Sequence, residues 1–295
     1  MAPNVRILKN KNSDFQTERA RRQARVDAGE LPGFPAKTAP LGDGDWRVER
    51  PAGAPADLCL TGVESRREAR VWGERFRAGE PAVEHGLILR VDSLWAAFEL
   101  DEIVHELRGC LTALHASHDG FLAGFVGVFH RFPEYVLPDR ADMTGDTHFL
   151  RSFSRHVAET ARRHGVAVAG DAGGTDPEPA GRIEAADLLL VPRGRITERG
   201  MRENIGVALR YLGRDDEPTA EETDAAELAR ALLWQWVRHE TGVLDIGRIV
   251  TPEMFRALLD DEAAALGASR AASGRLAGFV LGESYTMHAF GESPA

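Results

Sequence analysis

Apolar residues recur every three or four positions along the last third of the chain, which is the spacing of an amphipathic helix. The first such run lies at 199–212, and a second contains the apolar positions of 228–236. Thr197 and Thr251 precede helical patterns, and their hydroxyls are suited to capping a helix start. The spacing therefore predicts a helical domain in the C-terminal part of the chain.

Short apolar runs alternate with helical patterns in the middle of the chain. Buried apolar strands separated by helices are typical of parallel βα units, and right-handed crossovers bring the carboxyl ends of such strands to one rim. The pattern therefore predicts an α/β fold whose chemistry would lie at that rim. The predicted strands are 57–63, 85–91, 120–132, 166–172 and 186–192, and the predicted helices are 64–77, 93–109 and 147–165.

The N-terminal region shows less periodicity. Residues 1–15 have no apolar repeat and are predicted to be a loose arm, whereas 15–28 follows a basic helical pattern. The stretch 31–57 is rich in Pro and Gly and is predicted to be a long connection over the surface of the body. The predicted organisation is an arm and wrapping segment at 1–56, an α/β domain at 57–194 and a helical domain at 195–295.

The composition is that of an ordinary globular protein, with 43% hydrophobic and 28% charged residues. The formal net charge of -10 argues against nucleic acid or an anionic membrane as a general partner. No apolar run approaches the roughly 20 residues of a spanning helix, and the N-terminus lacks the apolar segment of a signal peptide. Cys59 and Cys110 suit buried thiols better than a disulfide, so we expect a cytoplasmic protein.

Long stretches of specific sequence occur throughout the chain. In the C-terminal region they are NIGVALRYL, AELARALLWQWVRH and GRIVTPEMF, and earlier ones include RRQARVDAGELPGF, SLWAAFELDEIVHELRG and PEYVLPDRADMT. In this order the stretches resemble the malate synthases, which join acetyl-CoA to glyoxylate. The resemblance implies a partial (β/α) TIM-type barrel of the malate synthase kind with a helical C-terminal domain. It also implies acetyl-CoA or another acyl thioester as a substrate.

One long segment of the family's barrel has no counterpart here between Gly62 and Glu64. In the family this segment holds the early strands, an acidic strand end of the MADFED type and an RPRGWHL motif with the catalytic arginine, and none of these motifs occurs in the chain. An open half-barrel would leave two sheet edges and an apolar inner face uncovered. We therefore predict that two copies pair as a homodimer, or that the N-terminal arm and the C-terminal domain fill the gap.

The resemblance also implies a Mg²⁺ site and a catalytic base. The family's metal-binding Glu corresponds to Asp92, and the Asp of its WDY motif falls on Gly120, with Asp119 one residue earlier. Because Mg²⁺ prefers oxygen ligands, Asp92 and Asp119 are its implied ligands, although Asp92 could instead cap the following helix. The family's base, which takes a proton from the acetyl methyl group, corresponds to Glu222, or to Asp224 with a small gap. Both carboxylates would equally suit the acidic first turn of a helix.

Asp119 has two further interpretations. If 120–132 is a strand, Asp119 faces the side opposite Gly120 and reaches the metal only after a local slip. Alternatively, His115, His118 and Asp119 could bind a transition metal, or they could form a solvated loop between a helix and a strand.

The missing segment leaves two functions open. The first is a Claisen-type condensation of an acyl-CoA, acetyl-CoA in the family, with a 2-oxo acid such as glyoxylate. An oxyanion develops in that reaction, and losing one donor that stabilises an oxyanion costs roughly 2.7–4 kcal/mol. Because the arginine motif is absent, the second function is that of a non-catalytic homologue that acts as a binding or assembly protein.

Overall fold

The structure is a computed structural model that describes residues 6–9, 13–28, 58–83, 86–169, 191–192, 194–239, 249–283 and 285–286. The predicted connection at 31–57 and most of the predicted strand at 186–192 lie outside these ranges. Among the described residues, no helix is long and apolar enough to cross a membrane.

Within the described ranges, five parallel strands form one sheet in the order of the chain, β1-β2-β3-β4-β5. This sequential parallel order, with helices between the strands, is that of a (β/α) barrel, of which the sheet is a part. The fold is therefore the predicted partial α/β barrel with a helical C-terminal region. The strands are β1 (Arg6–Lys9), β2 (Leu58–Thr61), β3 (Leu87–Val91), β4 (Leu111–Ala116) and β5 (Ala167–Ala169).

Three sequence-based assignments in this sheet were wrong. Strand β1 lies within the stretch predicted to be a loose arm, and β4 lies where no strand was predicted. The predicted strand at 120–132 is instead helix α5 (His118–Phe129). Its sequence is apolar on nearly every side, so periodicity cannot separate a buried helix from a buried strand, and its 12 residues exceed a usual strand length.

The other barrel helices follow the predicted pattern closely. The predicted helix at 93–109 is broken at Glu99 into two short helices, and the predicted helix at 147–165 ends before Gly165, whose φ of 68° suits a helix-ending glycine. The helices are α1 (Ser13–Asp27), α2 (Arg66–Arg77), α3 (Leu94–Phe98), α4 (Leu100–Glu106) and α6 (His148–Arg163).

The described part of the predicted C-terminal region contains four helices: α7 (Glu198–Leu212), α8 (Ala220–His239), α9 (Pro252–Leu266) and α10 (Arg270–Leu281). Both predicted caps are confirmed, because the hydroxyls of Thr197 and Thr251 accept hydrogen bonds from the backbone N–H groups of Gly200 and Met254. Trp236 is fully buried, and its Nε1 donates to the carbonyl of Leu137 at 2.7 Å, so this tryptophan is part of the core.

The described residues divide into two compact units. The first contains those before residue 21, those from 58 to 121 and those from 149 to 169. The second contains 21–28, 122–148 and the described residues from 191 onwards. The sheet belongs to the first unit and α7–α10 belong to the second.

Candidate active site

Asp92 lies directly after β3, at the carboxyl end of the strand, and is only 9% exposed. Its Oδ2 accepts a hydrogen bond of 2.8 Å from the backbone N–H of Gly62, which directly follows β2. Gly62 has a φ of 69°, a conformation that other residues rarely adopt, so this turn favours glycine. The carboxylate therefore links the ends of two neighbouring strands at the rim where barrel enzymes carry their chemistry.

The alternative role of Asp92 as a helix cap was wrong. Ser93 is the N-cap of α3, and its Oγ accepts from the backbone N–H of Ala96 at 3.1 Å. A hydroxyl in the capping position leaves the neighbouring carboxylate for other contacts.

Arg19 of α1 brings a cation to the same rim. Its guanidinium donates to Glu68 Oε2 at 2.7 Å and to the Gly62 carbonyl at 2.6 Å, and its Nε lies 3.8 Å from Glu64 Oε2. Burial opposes the charged form of the guanidinium, but the carboxylates of Glu64, Glu68 and Asp92 outweigh that effect and raise the pKa of Arg19. The rim thus combines buried carboxylates with a fixed positive charge.

A second buried cation stands on β3 itself. Arg90 is 4% exposed and is paired in register with His115 of β4. Its Nη1 lies 3.0 Å from His115 Nδ1, and its Nη2 donates to Ser117 Oγ at 3.0 Å. Asp92 follows Arg90 by two residues, directly beyond the end of the strand. Sequence reasoning missed Arg90, although a charged residue inside the apolar run GLILRV is a visible signal.

The structure changes the interpretation of Asp119. This half-buried residue lies in the first turn of α5, as does Gly120, so the strand-parity argument that set them on opposite faces does not apply. The segment is also not a solvated loop, because His115 lies in β4 and His118 begins α5. His118 Nε2 lies 2.7 Å from Ser154 Oγ, and burial lowers the pKa of this imidazole.

Neither predicted metal site has three possible ligands grouped together in the described part of the chain. Among the residues that the structure describes, no three His, Cys, Asp or Glu side chains are grouped so that they could hold a metal ion. Mg²⁺ usually takes one or two carboxylates from a protein and completes its shell with water and substrate oxygens. The single carboxylate of Asp92 is within that pattern, so Asp92 would hold the ion with water and substrate oxygens in the rest of its shell.

The two candidate bases lie at the start of α8, in the second unit. Glu222 Oε2 accepts from the backbone N–H of Thr219 at 2.8 Å, while the backbone N–H of Glu222 donates to Thr219 Oγ1, a reciprocal capping box. Arg214 adds an ion pair of 2.7 Å. The backbone hydrogen bond from Thr219 and the Arg214 guanidinium lower the pKa of Glu222. Asp224, one residue beyond Thr223, is half-exposed and takes no part in this capping box.

The sequence analysis did not identify a buried ion pair in α8, between Glu227 and Arg230. Arg230 is 1% exposed, and its Nε and Nη2 donate to Glu227 Oε2 at 3.1 and 2.9 Å. Its Nη2 also donates to the hydroxyl of Tyr285 at 3.2 Å. The i, i+3 spacing of Glu227 and Arg230 is the signal that could have found this pair. The contacts satisfy a buried charge in the helical core.

The fold is a partial barrel with buried carboxylates at the carboxyl ends of its strands, followed by a helical region. These features place the protein among the barrel enzymes and their relatives. Two family models, described as the malate synthase TIM barrel domain and the malate synthase C-terminal domain, match residues 56–175 and 195–279. The chain belongs to the malate synthase family.

Individual relatives agree with this membership. The glyoxysomal malate synthase of Zea mays is 28% identical over 70% of this chain and 51% of its own length. The malate synthase of Myxococcus xanthus is 28% identical over 69% of the chain and 50% of its own length, and malate synthase A of Escherichia coli is 27% identical over 73% and 55%. The chain therefore spans about half the length of the curated relatives that it matches.

Proposed function

We propose that the protein catalyses a malate synthase-like condensation of an acyl-CoA with a 2-oxo acid, with acetyl-CoA and glyoxylate as the substrates to test first. The observation that carries the proposal is the buried carboxylate of Asp92 at the end of β3, in a chain that matches both domains of the family in order. The proposed location is the cytoplasm.

The proposed reaction begins when a carboxylate removes a proton from the methyl group of the thioester. The enolate carbon then attacks the carbonyl carbon of the 2-oxo acid, and water cleaves the resulting thioester to release the CoA thiol. We assign Asp224 as the base, because Glu222 is held in the capping box and its lowered pKa makes it a weaker base. Asp92 and Asp119 stay the predicted Mg²⁺ ligands, and if the ion binds there it supplies charge stabilisation to the developing oxyanion.

Release of free thiol after mixing acetyl-CoA, glyoxylate and the protein tests this function. We expect release above the rate of thioester hydrolysis without protein, and a loss of at least about tenfold in Asp92→Ala, because the family's acidic rim residue is removed. Glu74→Gln is the matched control, since Glu74 is an exposed carboxylate in the middle of α2. Equal release by the wild type, both variants and buffer alone would contradict the proposal.

The second candidate function is a non-catalytic homologue that binds a thioester or a partner protein. Two facts favour this function: the carboxylate of Glu222 caps a helix, and Gly120 occupies the position where the family has a carboxylate. Isothermal titration separates the two functions. Heat from acetyl-CoA without thiol release supports a binding protein, whereas thiol release supports the enzyme.

A further inference from the structure

The turn that follows β2 is held from two sides. Its first residue, Gly62, donates its backbone N–H to Asp92 Oδ2 at 2.8 Å, and its carbonyl accepts from Arg19 Nη2 at 2.6 Å. Glycine has no side chain that restricts its backbone, so hydrogen bonds must fix the direction of its peptide groups. The direction of the N–H that holds Asp92 therefore depends on the contact with Arg19.

Arg19 is itself anchored to the start of α2. The same Nη2 donates to Glu68 Oε2 at 2.7 Å, and this oxygen also accepts from the backbone N–H of Glu64 at 3.0 Å. Glu68 is 2% exposed and the Arg19 side chain is 18% exposed, so water competes little for these contacts. One guanidinium nitrogen thus connects α1, the turn and α2, all within the first unit.

We propose that Arg19 is a positioning residue for the metal ion, acting on Asp92 through the backbone of Gly62. The inference rests on the proposed function, in which Asp92 is a Mg²⁺ ligand. Anchoring Oδ2 on the Gly62 N–H fixes the plane of the carboxylate and so the direction of Oδ1. Groups that orient a metal ligand in this way typically contribute about 10- to 100-fold to metal affinity. Helix α1, whose Arg19 precedes Gly62 by 43 residues, is thereby part of the active site.

The charge of Arg19 alone would have the opposite effect on the ion. Asp92 is one of the carboxylates whose charge raises the pKa of Arg19, so the two charges interact, and a guanidinium so placed repels a second cation. Removing this charge would strengthen Mg²⁺ binding if electrostatics were the only contribution. Removing a positioning contact weakens Mg²⁺ binding instead. The sign of the change in affinity therefore distinguishes the two effects.

Isothermal titration of Mg²⁺ into the full chain, without acyl-CoA, measures this sign. We expect Arg19→Gln to raise the Kd for Mg²⁺ by about tenfold. Arg70→Gln is the matched control, because Arg70 of α2 pairs with Glu106 of α4 at 2.7 Å in the same unit, and its Kd should equal that of the wild type. A Kd for Arg19→Gln equal to or below the wild-type value would overturn the proposal, as would a wild type that binds no Mg²⁺.

Two further measurements do not depend on the stability of Arg19→Gln. In ¹H–¹⁵N NMR of the wild type, Mg²⁺ should shift the backbone amide of Gly62 and the Nε–H of Arg19 but not the Nε–H of Arg70. Because Nη2 alone contacts both Gly62 and Glu68, the Nζ of lysine can replace it. Arg19→Lys should therefore bind Mg²⁺ within about threefold of the wild type. Unchanged Gly62 and Arg19 resonances, or a lysine variant as weak as Arg19→Gln, would contradict the role.

Thiol release separates this inference from the proposed condensation. The rate of Arg19→Gln should fall at limiting Mg²⁺ and recover as Mg²⁺ is raised, whereas a purely structural loss would lower the rate equally at every Mg²⁺ concentration. If Mg²⁺ binding depends on Arg19 but the wild type releases no thiol, the condensation fails and the positioning role stands. If thiol is released and Arg19→Gln has the Mg²⁺ dependence of the wild type, the condensation stands and this inference fails.

Discussion

At the scale of single residues, buried carboxylates at the rim are stabilised by a neighbouring cation. Glu64 and Glu68 are 3% and 2% exposed, and Arg19 contacts both carboxylates. Burying a carboxylate is costly unless a partner offsets the loss of water, and removing one partner from a buried pair is strongly destabilising. Arg19 of α1 therefore stabilises the first unit by bringing a cation to these buried carboxylates.

We predict that Arg19→Ala lowers the free energy of unfolding by about 3 kcal/mol, because it removes a cation that contacts two buried carboxylates. Urea denaturation followed by far-UV circular dichroism measures the change. Arg21→Ala is the control, since Arg21 is an exposed residue of the same helix and should change the stability by less than about 0.5 kcal/mol. Similar unfolding midpoints for the two variants would show that the ion pairs contribute nothing.

Individual residues also show what sequence reasoning can and cannot find. The capping hydroxyls of Thr197 and Thr251 were predicted correctly, because capping depends on local sequence. The metal-binding role of Asp92, which depends on family resemblance, stays a prediction. The contact of Arg90 with His115 and that of Arg19 with Glu68 were not found. Both join residues from different elements, so they depend on strand register and helix placement, which local spacing does not reveal.

At the scale of elements, errors occurred where the hydrophobic pattern had no period. Helix α5 is apolar on most sides and was taken for a strand, while the six residues of β4 were missed beside it. Amphipathic helices such as α2 and α6 were found, since one polar and one apolar face leave a clear signal. The error at α5 also displaced Asp119, because a side chain's direction follows from the element that carries it.

Variants at the start of α8 test whether Glu222 and Asp224 each cap the helix or act as the base. Glutamine can replace glutamate in a capping box, so Glu222→Gln should keep both the thermal unfolding midpoint and the thiol release close to those of the wild type. Asp224→Asn should lower thiol release by about 10²–10⁴ if Asp224 is the base. The thiol assay and a thermal scan measure both. Loss of release in Glu222→Gln, with normal release in Asp224→Asn, would exchange the two assignments.

At the scale of the whole molecule, the sheet poses a problem of closure. A complete barrel of this kind has eight strands, whereas the described part of the chain supplies five in one open order. Among the described strands, β1 and β5 each have one neighbour. An uncovered sheet edge favours association with another chain, which is the basis of the predicted homodimer.

Light scattering after size exclusion tests the homodimer, which should have twice the mass of the 32.2 kDa chain. Val168 of β5 is apolar and 39% exposed, so Val168→Lys should shift the equilibrium towards monomer by placing a charge on an edge strand. Leu266→Lys is the matched control, because Leu266 is 41% exposed but lies at the end of helix α9, in the second unit. A monodisperse wild-type monomer, or equal dissociation of both variants, would exclude pairing through the sheet and favour closure by the chain's own segments.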